Sequence, residues 1–298
     1  MTFNVALGAS GAVAQSTTPQ YFFVSTTVPN GSGNNVPAIV TFTVNTATSA
    51  LTQIAPPPVQ TRAQPGPLAI NNAGTFVFEA GTNSAGHGSV EAFSVGSDGA
   101  LTEVETSPYT VSNPLATPVT LAVSPNGAFL YVASTVPVSQ ATGAPQSTIL
   151  DVFTIAANGS LVLSNTFAYS AVEVCDPPTP AQLMPIQLFV HPTQKWLYLF
   201  MGSTYGPGCS GQPSEVQPFT INSDGTLAPG TLDILPLYGT GGYALTGSPD
   251  GSILFLMTTQ NPQNGIIYAS GIDQRTGDIS FGLPLLKLVW RAVRLRSR

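Results

Sequence analysis

The chain has 298 residues, enough for one large core, so its length does not require two domains. Charged residues make up only 7%, against roughly 25% in ordinary soluble domains, and the net charge is −6. Only three of the eight Lys and Arg precede residue 287, whereas all fourteen acids do. That balance excludes a nucleic-acid groove, which needs clustered bases to displace counterions, and no stretch reaches the roughly 18 apolar residues of a membrane-spanning helix.

In chain order, residues 1–19 read as a residual secretory signal or a flexible N-terminus. VALGASGAVA (5–14) is weakly apolar and ends in Ala-Val-Ala before Gln15, but has no basic leader. From residue 20 to 281 one phrase recurs. LAINNAGTFVFEAG (68–81), LAVSPNGAFLYVAS (121–134), QLFVHPTQKWLYLFM (187–201) and ALTGSPDGSILFLMT (244–258) each place a turn rich in Pro, Asn, Asp and Gly between two apolar runs, the pattern of a β-hairpin. A third strand follows, as in AIVTFTV, SVEAFSV, ILDVFTI, EVQPFTI and IIYASGI. Phe42, Phe93, Phe153 and Phe219 hold one position in the first four, spaced 51, 60 and 66 residues apart. A second tight turn then leads to a short fourth strand such as LTQI, LTEV, LVLS or DISF.

Four antiparallel strands per unit, A to D, repeated along the chain, predict an all-β fold: a β-propeller with about five blades' worth of strands. The first unit starts at its B strand, YFFVSTT, and the fifth ends at Phe281. Propellers with blades of this length more often close with six to eight, so the count points to a truncated chain. Residues 282–298 carry five of the eight bases and read as a composition-foreign basic tail, either an out-of-register gene end or a short amphipathic helix.

The proline before strand A, the phrase LAVSPNGAFLYVAS, and DVFTI followed by ANGSL resemble the seven-bladed β-propeller lactonase family, which includes 6-phosphogluconolactonase-like and muconate-cyclising-like enzymes. The resemblance covers about residues 20–281. It implies hydrolysis of a lactone ring, a carboxylic ester, at a centre near the channel built from His, Arg and acidic side chains. No residue-by-residue match to such a centre is present, because Arg62 and Arg275 are the only arginines before the tail and His87 and His191 the only histidines.

In an A-to-D meander the A–B and C–D turns share one face, and the B–C loops and D-to-A connections share the other. The first set is short and uniform. The second is long and varied, including 28–37, 55–66, 135–147, 165–183 and 202–213, and variable loops on a rigid scaffold are where binding sits. The candidate catalytic residues on that face are Arg62, His87, Glu105 and Glu173, with Glu79 ending a B strand that leads to it; a His and an acid within hydrogen-bond reach could do acid–base work. Tyr205, Tyr238 and Asp176 are the candidate binding residues. His191 takes the A–B turn position, and Asp98, Asp224 and Asp250 precede Gly as turn-formers.

Cys175 and Cys209 fall in a D-to-A connection and a B–C loop of one blade, so they could meet as a disulfide in an oxidising compartment. Two cysteines without a CxxC or a paired His give no zinc site, and no metal or cofactor motif is present. The sequence therefore predicts a secreted, periplasmic or cell-envelope lactonase-like propeller. Its leading role is a binding scaffold for a small molecule or carbohydrate; a lactone hydrolase and an inactive remnant are the alternatives.

Overall fold

The structure is a computed structural model that describes residues 4–5, 20–136, 147–169, 172–174, 180–204, 215–231, 233–234, 241–261, 264–281 and 286–289. Among the described residues there is no helix. The strands form five antiparallel sheets in chain order, as the repeat predicts.

Each sheet follows the A-to-D meander. The second pairs Leu68–Ile70, Phe76–Thr82, Gly88–Val95 and Leu101–Glu103 in that order, and the third pairs Thr117–Val123, Phe129–Val136, Ser147–Ile155 and Leu161–Tyr169. In the first sheet Gln20–Pro29, Asn35–Val44 and Leu51–Gln53 take the B, C and D places, and Asn4–Val5 pairs with Val24 and Ser25 in the A place. The fourth contains Pro180–Val190, Trp196–Thr204, Glu215–Ile221 and Leu227–Pro229, and the fifth Gly241–Gly247, Ile253–Asn261, Asn264–Ile272 and Ile279–Phe281.

Besides this A-place strand, in a unit read as starting at its B strand, two further features depart from the sequence reading. The D strand is split in four sheets, because a second short piece returns to the same C strand: Val59–Gln60, Tyr109–Thr110, Asp233–Ile234 and Leu286–Val289. The last of these puts the start of the basic tail into the fifth sheet, through Ile267↔Leu286 and Ile266↔Lys287. The span 165–183 is also not one long connection. With no charge or proline to interrupt it, the third sheet's D strand continues to Tyr169, Val172–Val174 forms a strand of its own, and the next A strand begins at Pro180.

Two compact units partition the chain: Met1–Ser170 with Ile221–Leu227, and Ala171–Thr220 with Ala228–Arg298. In the first unit the core has two clusters. Phe23, Ile39, Leu68, Val77 and Phe93 pack in one; Phe78, Ala80, Val90, Leu130, Val132 and Phe153 pack in the other. Alternate B-strand residues feed each cluster, as the two-residue period of a strand requires. The second unit buries Trp196, Tyr198, Phe200, Val216, Leu245 and Leu256.

A repeated lock accompanies these cores. The aromatic that opens a B strand lies over the glycine of a later C–D turn: Tyr21 on Gly99, Phe76 on Gly159 and Phe129 on Gly225 in the first unit, and Trp196 on Gly277 in the second. Each glycine has φ between 79° and 84°, so it meets two demands at once, a left-handed turn and no Cβ beneath a ring. Hydroxyls reinforce two of the locks: Tyr21 donates to the Ser97 carbonyl (2.7 Å), and Tyr198, beside Trp196, to that of Gly277 (2.8 Å).

Candidate functional site

The register of the B and C strands compares the sheets position by position. Two residues before the recurrent C-strand Phe stand Val40, Glu91, Asp151 and Gln217, and Tyr268 fills that place in the fifth sheet. Opposite them on the B strands stand Val24, Glu79, Val132, Leu199 and Leu256. Polar residues at the C-strand position have a common task. Glu91 Oε1 accepts from the Arg62 and Ala63 amides (2.8 Å each), Asp151 Oδ2 accepts from the Ser112 amide (2.9 Å), and Gln217 Nε2 donates to the Gly230 carbonyl (3.0 Å). They satisfy backbone groups of connecting segments that run over the sheet, as buried polar groups must.

Glu79 has no such counterpart. It is the single acid at a B-strand position that is Val or Leu in the other four sheets, and it is fully buried directly across from Glu91, itself 1% exposed. Its Oε1 accepts from the Ser25 hydroxyl and from the Gly66 amide (3.2 Å). Burial disfavours the carboxylate strongly enough to raise its pKa to about 7, against the pull of the Ser25 and Gly66 hydrogen bonds and with added repulsion from Glu91. Among the described residues the Oε2 atoms of both glutamates have no hydrogen-bond partner, although that of Glu91 lies 3.7 Å from Arg62 Nη1.

Arg62, on the connection between Val59–Gln60 and Leu68–Ile70, closes the cluster toward solvent. Its guanidinium grips Glu103 through both terminal nitrogens, Nη2 to Oε2 at 3.0 Å, in the planar two-point geometry suited to a carboxylate. Those bonds hold its pKa above the usual value. Four groups thus line up from core to surface: Glu79, Glu91, Arg62 and Glu103. An acid that titrates near neutrality can give or take a proton, and a half-exposed guanidinium can hold an oxygen-rich ligand.

The remaining candidates separate from this cluster. His87 is exposed in the loop after Phe76–Thr82, where its amide bonds Asn83 Oδ1 (3.0 Å). Glu105 is exposed on the turn between the two pieces of its D strand. Among the described residues, neither side chain makes a hydrogen bond or ion pair. Glu173 stands on a strand, paired with Ala181, in the other compact unit. Cys175, Asp176, Tyr205, Cys209 and Tyr238 lie outside the described residues.

The expected turn residues have structural work. Asp98, Asp224 and Asp250 each cap the amide two residues on, at 3.0 Å. His191 is fully buried, not merely a surface turn residue: Nε2–H donates to the Gly251 carbonyl (2.9 Å), Nδ1 faces the Thr193 hydroxyl (2.7 Å), and the ring meets Trp196 edge-on at 4.8 Å. Burial lowers its pKa. On the short-turn side a shallow groove of about 520 Å³ runs between Asn71–Ala73 and Pro125–Ala128, with no ionisable residue in its lining. Among the described residues no group of three or more His, Cys, Asp or Glu could hold a metal ion, and no helix is long and apolar enough to cross a membrane.

Residues 22–200 match the family described as lactonase, 7-bladed β-propeller. The chain belongs to this family. Among solved structures it is similar to a periplasmic gluconolactonase of Pseudomonas aeruginosa, at 16% identity and a TM-score of 0.51, covering 91% of this chain and 83% of that one. It is also similar to a putative 6-phosphogluconolactonase of Bacteroides fragilis, at 15% identity and a TM-score of 0.48, covering 94% and 84%. At these identities the likeness concerns the fold. No curated protein matches the sequence.

The sequence reading names Arg62 for its loop on the long-connection face and Glu79 as the end of a strand leading there, and does not name Glu91 or Glu103. The signal for Glu91 was the run of Glu, Asp and Gln two residues before the recurrent Phe.

Proposed function

We propose that this propeller is a binding module for a small polyhydroxylated molecule of the sugar or sugar-lactone class, held on the long-connection face at Arg62. One observation carries the reading: the only arginine between residue 1 and residue 274 is presented at the surface, positioned from below by Glu91 and from the side by Glu103. Such a guanidinium offers its remaining N–H groups to hydroxyl or ring oxygens, while two carboxylates fix its direction. A nearly uncharged exterior and the periplasmic location of one structural neighbour support a role outside the cytoplasm. A disulfide between Cys175 and Cys209 belongs to the same proposal.

Lactone hydrolysis is the second reading, favoured by Glu79. A carboxyl group half-protonated near pH 7 could serve as the acid–base group if an opening of the Arg62 connection admitted water. In that scheme the guanidinium would stabilise the oxyanion that forms as water attacks the ester carbon.

Calorimetric titration of aldonolactones and their parent sugars tests both. Binding that weakens by roughly tenfold in Arg62→Ala, with no lactone consumed, supports the module. Ring opening that is lost in Glu79→Gln establishes the hydrolase instead, and unchanged binding in Arg62→Ala rejects this site.

A further inference from the structure

The second sheet differs from its neighbours at two places that meet. The amides of Arg62 and Ser112 are held by Glu91 and Asp151, which share one C-strand position, so Arg62 stands where the next connection has serine. Glu103 pairs with Phe93, and opposite the same C-strand place the first, third and fifth sheets have Gln53, Leu163 and Phe281. The second sheet thus carries a base and an acid where these others are neutral, and the two bond each other.

The charges around that pair do not balance. With His87 counted as neutral, Arg62 is the sole base in the compact unit formed by Met1–Ser170 and Ile221–Leu227, against seven acids. Two of these acids crowd the guanidinium: Glu103 takes both terminal nitrogens, and Glu91 Oε2 lies 3.7 Å from Nη1. The two-point fork with which an arginine grips a phosphate or carboxylate is therefore already filled by the protein's own carboxylate. What remains is a set of directed donors with little net charge behind them. Among the described residues, Nε–H and the outer N–H of Nη2 meet no acceptor, on a side chain that is 54% exposed. Such donors suit a hydroxyl, ring or ester oxygen.

We propose that this site selects by charge, taking neutral polyols and lactones and turning away those that carry a phosphate or carboxylate group; the inference rests on the reading of Arg62 as the ligand holder. Around the one cation available to a phosphorylated sugar, Glu103 and Glu91 would each oppose the ligand. For a neutral sugar the same two groups only aim the donors. Like charge placed against the unwanted ligand is a recognised means of specificity. The rule also separates a closed lactone, which is neutral, from the corresponding aldonate, which is not.

Calorimetric titration of the whole chain with glucose, glucose 6-phosphate, gluconolactone and gluconate tests this at low ionic strength, where exposed charges act furthest. The neutral member of each pair should bind at least roughly tenfold more tightly, and the gap should narrow as salt is added. Glu103→Gln, nearly the same in shape, should shift the ratio by roughly tenfold in favour of the charged members. A second readout needs no sugar. Inorganic phosphate should leave the Arg62 Nε–H resonance unmoved in the unaltered chain and shift it in Glu103→Gln. Equal or tighter binding of the charged members, a phosphate-induced shift in the unaltered chain, or a Glu103→Gln variant with an unchanged ratio overturns the proposal. Failure of all four ligands, with phosphate still excluded, overturns the reading of Arg62 as a sugar holder but supports the exclusion of anions.

Discussion

Glu79 faces Glu91 directly across two neighbouring strands, and both are closed off from solvent. Two carboxyl groups so placed cannot both be ionised without cost. Glu79 is the one that keeps its proton, with a pKa raised from 4.5 to about 7.

That displacement fixes the sign of a pH effect. The folded protein holds the Glu79 proton more tightly than the unfolded chain, so the stability this group contributes is full below pH 4.5, falls as pH rises toward 7, and levels off above. The loss is roughly 3 kcal/mol, at about 1.4 kcal/mol per pH unit of displacement. Glu91, whose pKa burial also raises, contributes in the same direction. Urea unfolding from pH 4.5 to 8 should show this decline as the difference between the unaltered chain and Glu79→Gln, since buried His191, whose pKa is lowered, acts in the opposite direction in both.

Removing an acid that satisfies a connecting segment should cost more than removing an exposed one. Glu91→Ala strands the Arg62 and Ala63 amides, and Asp151→Ala strands that of Ser112. Each should lose roughly 1 to 3 kcal/mol in denaturant titrations. Exposed Glu105→Ala should stay within about 0.5 kcal/mol.

The ion pair of Arg62 with Glu103 lies at the surface, so it should add little to stability even in its two-point geometry. A double-mutant cycle of Arg62→Ala and Glu103→Ala should give a coupling of about 1 kcal/mol or less, shrinking as salt is added. Any larger loss of ligand affinity in Arg62→Ala would then reflect lost contacts with the ligand.

Glycine substitutions separate backbone from packing. Gly127 has φ of 73° with open space where a Cβ would sit, so Gly127→Ala should cost only the left-handed backbone penalty, roughly 1 to 2 kcal/mol. Gly159, with φ of 83°, lies beneath the Phe76 ring. Gly159→Ala should cost roughly 2 to 5 kcal/mol, because the ring must also move. Thermal unfolding of the two variants compares them directly.

Much of the fold was legible because periodicity and turn chemistry repeat together. Strands alternate around Phe93, Phe153 and Phe219, and the Asp and Gly turns fall where hairpins need them. The split D strands were not legible: Val59–Gln60 and Tyr109–Thr110 are too short for any alternation to show, and what defines them is pairing with a distant C strand. Leu161–Tyr169 was read too short, as LVLS alone, since Asn165 and Thr166 resemble the start of a loop until Thr166 binds Asp151 and the pairing runs on to Tyr169.

The candidate site was only half legible. Arg62 announces itself by rarity, but its partners lie 29 and 41 residues away, and no local pattern joins them. Glu79 becomes exceptional only when five B strands are set in register, which reveals one carboxyl among Val and Leu. His87 and Glu105 looked equivalent to Arg62 because a sequence gives a loop's side of the sheet and not the direction of its side chains.

The ring-over-glycine lock is directional. In all four copies the aromatic precedes its glycine in the chain, by 78 to 96 residues for Tyr21, Phe76, Phe129 and Trp196. During synthesis each aromatic therefore leaves the ribosome well before the turn that covers it, so assembly can proceed from the N-terminal side with one joint completed at a time. A gene segment copied as one unit would also carry half of the joint behind it and half of the joint ahead, which lets such an array lengthen by duplication without inventing a new contact.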